Sequence, residues 1–150
     1  MQIRAYGSSD LEALVELMAE LGYPTSISDM ERRMDRMTAD PEAHTFVASL
    51  SGEVIGMIGV KRLYNYETDD FLTYISCLVV KQKCRGQGFG KKLLHFIEEW
   101  SVREGMNVLY LTSGIKEERK PAHELYKQMG FEITGYRFIK KLEAKQQQEA

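Results

Sequence analysis

The segment Arg85-Gly86-Gln87-Gly88-Phe89-Gly90 constrains this chain more than any other. It follows the apolar run Tyr74–Val80, which reads as a buried strand. It precedes Leu93, Leu94, Ile97 and Trp100, spaced for one face of a helix. Closely spaced glycines between a strand and a helix read as a tight turn. Such a turn aims free backbone N–H groups at one spot, and the helix adds roughly half a positive charge at its N-terminus. Between Lys81 and Lys92 stand Lys81, Lys83, Arg85, Lys91 and Lys92, with no acidic residue among them. The segment therefore reads as an anion site suited to phosphate.

The chain has 150 residues, enough for one domain with a substantial core. We expect a single domain over residues 1–142 and a polar C-terminal tail over 143–150. A net charge of −2 gives no argument for nucleic acid, and no apolar run approaches the roughly 18 residues of a membrane span. The N-terminal stretch Met1–Tyr6 lacks the apolar core of a signal peptide. Two cysteines, Cys77 and Cys84, cannot build a disulfide scaffold, and a reducing cytoplasm is the expected compartment. No His/Cys cluster has metal-ligand spacing, so no metal is expected.

The patterning predicts the order βααβββαβαββ: a mixed, mostly antiparallel sheet of about seven strands with about four helices. Gln2–Tyr6 alternates as a first strand. Ser9 with Glu12, and Ser28 with Glu31, match the capping box at the starts of two helices. The second helix carries a thin face of Met30, Met34 and Met37, which is either a plain surface helix or one wall of a substrate cleft. His44–Leu50 and Val54–Leu63 form a hairpin, with Gly56 and Gly59 marking a bulge or a close backbone approach. A polar loop with Glu67, Asp69 and Asp70 leads into Phe71–Val80. After the glycine turn come a helix to about Glu104, a short strand Val108–Leu111 and a helix Lys120–Met129 with Pro121 near its start. Two strands, Phe131–Ile133 and Gly135–Leu142, complete the sheet.

Three phosphate-binding patterns compete. A Walker A loop would need glycine where Arg85 stands and Ser or Thr where Lys92 stands, so it fails twice. A dinucleotide fingerprint needs Gly-x-Gly-x-x-Gly near the first strand, whereas this spacing is Gly-x-Gly-x-Gly in mid-chain. The third pattern is the coenzyme A pyrophosphate loop. Lys83-Cys-Arg-Gly-Gln-Gly-Phe-Gly-Lys-Lys-Leu-Leu94, following Leu78-Val79-Val80, resembles motif A of the GCN5-related N-acetyltransferases, with Lys83 in place of the usual Gln or Arg. Ala122-His-Glu-Leu-Tyr126-Lys-Gln-Met-Gly130-Phe131 resembles the same family's motif B, and the two occur in the family's order.

The resemblance implies an acetyl-coenzyme A-dependent N-acetyltransferase that transfers acetyl to a primary amine, a small molecule more than a protein, by direct attack in a ternary complex. It implies that backbone N–H groups of Arg85, Gly86, Gln87, Gly88, Phe89 and Gly90 hold the pyrophosphate, with Lys91, Lys92, Lys83 or Arg85 meeting the remaining phosphate. It also implies that the pantetheine arm lies along Leu78, Val79 and Val80, and that the Leu78 N–H polarises the thioester carbonyl. Tyr126 takes the place of the general acid, against the alternative of a core aromatic. Family members are often dimers.

A protonated amine with a pKa of about 10.4 must lose its proton, at roughly 4–5 kcal/mol at neutral pH. Glu67, Asp69 and Asp70 are candidates for attracting the cation or taking that proton, and Tyr74 and Ser76 for holding a water. His44 and His123 are weaker candidates. Tyr23, Glu67, Asp70 and Tyr74 form the expected acceptor site, with Cys77 and Cys84 inert. The competing reading is a module of the same fold that binds acyl-coenzyme A without turnover.

Overall fold

A computed structural model describes residues 1–143. Most of the expected tail, residues 144–150, lies outside the described residues. By contacts the chain divides into two compact units, Met1–Ser113 and Gly114–Ala150.

The first unit holds a five-stranded sheet with its strands in sequence order: β1 (Gln2–Ala5), β2 (Ala43–Leu50), β3 (Glu53–Tyr64), β4 (Phe71–Val80) and β5 (Val108–Tyr110). The first four pair antiparallel, and β5 pairs parallel to β4. Helices α1 (Leu11–Leu21) and α2 (Ile27–Ala39) cover one face. Leu14 and Leu17 of α1 and Met30 and Met34 of α2 are buried against Val47, Val54, Met57 and Val79. Met37, counted in the methionine face by its spacing, is largely exposed. Helix α3 (Phe89–Arg103) packs on the other face through Leu93, Leu94, Ile97 and Trp100, and the aromatics Phe46, Phe96 and Trp100 meet edge to face. The buried Thr73 hydroxyl lies 2.7 Å from that of Ser101 on α3.

Alternation along a strand explains Gly56. Its neighbour Met57 faces α1 and α2, so Gly56 faces α3. A Cβ there would lie 3.0 Å from the Val79 carbonyl and 3.4 Å from Leu93 Cδ1, so glycine lets α3 approach the sheet. Gly56→Val should destabilise the fold by about 1–3 kcal/mol, read as a lower denaturation midpoint at unchanged slope.

The helix starts differ in detail from their sequence signals. Ser26, not Ser28, caps α2, its hydroxyl accepting from the Asp29 N–H at 3.1 Å. Ahead of α1 a 3₁₀ turn, Ser8–Asp10, replaces the expected Ser9 cap, and Asp10 closes that turn. Its carboxylate accepts the Gly7 N–H at 2.9 Å and a two-pronged pair from Arg4 at 2.7 and 2.8 Å. These bonds, chiefly the one from Arg4, hold the Asp10 carboxyl below the usual carboxylate range. A depressed folded-state pKa stabilises above the unfolded value, about 3.9, and that stability is lost as pH falls through the folded value. Asp10→Asn should therefore lower Tm at pH 7, and its gap from the parent chain should close below about pH 4 in a thermal-melt series.

In the second unit, α4 (Lys120–Gln128) begins with Pro121 in its first turn. Gly130, at φ +91°, follows its end, where the Phe131 N–H donates to the Tyr126 carbonyl at 2.9 Å. The two strands expected over Phe131–Leu142 are not formed, so the described residues hold five strands, not about seven. A strand belongs to a pair: the alternation of 131–142 marks residues that could share a face but supplies no ladder partner. Ile133, Tyr136, Phe138, Ile139 and Leu142 are exposed there.

Candidate active site

The antiparallel ladder between β3 and β4 fixes which way each peptide points. Lys81 donates its N–H to the Ile55 carbonyl at 2.7 Å. Hydrogen-bonded pairs alternate along such a ladder, so Val79 with Met57 and Cys77 with Gly59 are bonded pairs. Leu78 and Val80 then turn their backbone groups away from β3. On that side β5 pairs with β4 only from Leu72 to Tyr74, among the described residues. Ser76 is the extra residue of a β-bulge between the Gly59–Cys77 and Val60–Ile75 pairs, its hydroxyl donating to the Gly59 carbonyl at 3.2 Å. Past that bulge the edge of β4 offers the Leu78 N–H and C=O and the Val80 N–H. Val79 does not share it: its peptide groups face β3 and its side chain is buried in the core. The Val80 carbonyl accepts from Arg85 Nε at 3.2 Å.

The edge runs directly into the anion turn. After a 3₁₀ turn, Gln82–Cys84, the backbone reaches Gly86 at φ +78° and Gly88 at φ +83°, both left-handed. Gly88 is the N-cap of α3, with no side chain capping it and no acid in the first turn. The Lys92 N–H donates to the Gly88 carbonyl at 3.1 Å, so the N–H groups of Phe89, Gly90 and Lys91 lack a carbonyl within the helix. Arg85 does not join this set, because its N–H already donates to the Gln82 carbonyl at 3.1 Å. A Cβ at Gly86 or Gly88 would meet nothing within 4 Å, so the turn is open where a ligand would approach. Gln87 is exposed between them.

The loop's cations divide into two groups. Lys81 bridges Glu16 at 3.0 Å and Glu53 at 3.1 Å, and Lys83 meets Glu53 at 2.8 Å. Lys91 is exposed on the first turn of α3, and Lys92 stands 5.5 Å from the centroid of the Phe89 ring. Cys84 is buried within the 3₁₀ turn, and Cys77 packs against the α1–α2 core.

Tyr74 stacks on Tyr110, its parallel partner on β5, with centroids 4.8 Å apart. Burial pushes the Tyr110 hydroxyl pKa up, and Tyr74 adds to the shift. Tyr110 went unremarked in the sequence, because only the strand pairing places it beside Tyr74. Asp70 lies at the opposite end of β4 from the anion turn, accepting from Asn107 Nδ2 at 3.0 Å. Leu78 is about 26 Å further along the strand, at the usual rise. Glu67 is exposed in the loop before Asp70, and Tyr23 is exposed between α1 and α2. The His44 ring lies 4.9 Å from that of Trp100, tilted by 60°, a packing position. Tyr126 belongs to the second unit, where it is buried with its ring edge-on to Phe131 at 5.8 Å. His123 is half-buried on the same helix.

The family model described as Acetyltransferase (GNAT) family matches residues 6–131. The chain belongs to the GNAT acetyltransferase family. It is 34% identical over 103 residues to the aminoalkylphosphonate N-acetyltransferase of Salmonella typhimurium, a match covering 69% of this chain and 66% of that protein. It thus spans just under two thirds of that relative's length. A GNAT family acetyltransferase structure from Staphylococcus aureus superposes with TM-score 0.81 at 27% identity, covering 94% of this chain and 98% of the other. The aminoglycoside N-acetyltransferase AAC(6')-Iy in complex with CoA superposes with TM-score 0.82 at 16% identity, covering 95% of each chain, a likeness of fold alone. No described helix of this GNAT chain is long and apolar enough to cross a membrane.

Proposed function

We propose that this GNAT chain transfers the acetyl group of acetyl-coenzyme A to a primary amine of a small molecule, by direct attack with both substrates bound. One observation carries the reading: the edge of β4 at Leu78 and Val80, which no described strand pairs, leads through a short 3₁₀ turn to the N-terminus of α3, where no side chain caps the helix. An extended arm with amides fits the first part, by strand addition, and a diphosphate fits the second. The residues present suit that cosubstrate, whose thioester supplies an activated acyl carbon.

In this reading the N–H groups from Gly86 to Lys91 hold the diphosphate, and Lys91 adds charge. The Leu78 N–H donates to the thioester carbonyl, where one such donor is worth roughly 3–4 kcal/mol of barrier. The Tyr126 hydroxyl returns a proton to the departing thiolate. A phenol suits that step, being protonated at neutral pH with a pKa of about 10. The stacked rings of Tyr74 and Tyr110 line the acceptor side, about 13 Å along β4 from Leu78. Tyr23, exposed in the α1–α2 connection, is a further candidate for acceptor contact. Glu67 and Asp70, further out, draw a cationic amine by long-range attraction instead of contact.

The acceptor panel takes aminoalkylphosphonates and aminoglycosides from the names of the relatives and adds polyamines as cationic amines suited to Glu67 and Asp70, each with acetyl-coenzyme A and a free-thiol readout. Thiol release above the amine-free rate with at least one class is the expected result. Binding of acetyl-coenzyme A with no amine-stimulated release from any class would contradict the transfer reaction and leave a binding module.

A further inference from the structure

The strand end that delivers the anion turn is pinned at its base by a cluster of ions shared with α1 and β3. Lys81 is the first residue after β4, and its side chain is only 12% exposed. Its ammonium donates to Glu16 on α1 and to Glu53 at the start of β3. Its own N–H continues the β3 ladder to Ile55, and its carbonyl accepts the Cys84 N–H at 2.9 Å, closing the 3₁₀ turn. The next peptide is tied to the same helix, the Gln82 N–H donating to Glu20 Oε2 at 3.2 Å. Glu53 also takes Lys83. Four of the hydrogen bonds that fix the turn's base therefore run through Lys81, and both its salt-bridge partners are carboxylates.

We propose that Lys81 is a positioning residue for coenzyme binding: it locks the base of the Gly86–Gly88 turn to α1 and β3, and it neutralises Glu16 and Glu53 at the base of that turn. This rests on the reading that the turn binds acetyl-coenzyme A. Lys81 itself does not touch the ligand in this account, since its ammonium is engaged on the α1 side. Without it, two carboxylates face the base of a turn that must accept an anion, and the turn loses its tether to α1.

The test is calorimetric titration of acetyl-coenzyme A into the parent chain, Lys81→Met, Lys81→Arg and the triple variant Lys81→Met/Glu16→Gln/Glu53→Gln, with steady-state kinetics on any acceptor found. Melting curves set the working temperature at which every variant is folded. Lys81→Met should weaken binding by roughly ten-fold or more, the scale at which partners one layer behind a ligand act. KM for acetyl-coenzyme A should rise equally, with kcat at saturation unchanged. Lys81→Arg should restore most of the affinity, and the triple variant should recover the part due to unbalanced carboxylates. If the parent chain binds and Lys81→Met binds equally well while folded, the inference is overturned and the coenzyme reading stands. If the parent chain fails to bind, both fall.

Discussion

Tyr126→Phe should lower kcat by about ten-fold or more while leaving the Kd for acetyl-coenzyme A close to that of the parent chain. The change removes one oxygen from a ring whose edge-on contact with Phe131 is kept, and thermal melts of the two proteins check that both are folded at the assay temperature. What it removes is a proton donor. General acid–base catalysis contributes about 10²–10⁴-fold, and water can replace part of it when the donor is lost. The reading therefore requires a fall in kcat with little change in affinity, measured by stopped-time thiol release and by calorimetry on the same preparation. Equal kcat for the two proteins would return Tyr126 to the role of a core aromatic.

Gly88→Val should abolish most of the affinity for acetyl-coenzyme A, and a matched control separates that from strain. Gly88 sits at φ +83°, and a β-branched residue there costs roughly 1–2 kcal/mol. Gly105, beyond the end of α3, sits at φ +81° with equally open space around a Cβ. Gly105→Val should thus lose similar stability in a thermal melt. Only Gly88→Val should also lose binding, because it displaces the N–H groups that open α3. Hydrogen bonds to a charged group are worth about 1.5–3 kcal/mol each, so losing one or two predicts a fall in affinity on the order of 10–100-fold or more. Equal binding by both variants would place the diphosphate elsewhere.

The features legible in the sequence were those set by local backbone chemistry. The glycine turn, the hairpin at Ser51-Gly52 and the apolar stripe of α3 each depend on neighbours a few residues away, and the structure has all three. Gly56 and Gly59 read as marking a bulge or a close approach; which glycine does which, and that Leu93 is the side chain admitted at Gly56, came only from the structure. Features set by pairing between distant segments were not legible. Nothing local distinguishes Val79 from Leu78 and Val80; the rung between Lys81 and Ile55 decides which peptides face the open edge. The basic run from Lys81 to Lys92 looked uniform, yet Lys81 and Lys83 are engaged by acids from α1 and β3 that lie far off in sequence. Asp70 reads as an acceptor-site acid, and only strand direction shows that it stands at the end of β4 opposite the turn. The apolar alternation of 131–142 looked like two strands, and alternation alone supplied no edge to pair with.

The central claim, that the uncapped start of α3 clasps a coenzyme diphosphate, is tested most directly by following backbone amide resonances during a titration with coenzyme A. The account predicts that the amides of Gly88, Phe89, Gly90 and Lys91 shift most, saturably, with smaller shifts at Leu78 and Val80. Unmoved amides at these positions at millimolar coenzyme A, or shifts centred on another segment, would contradict it.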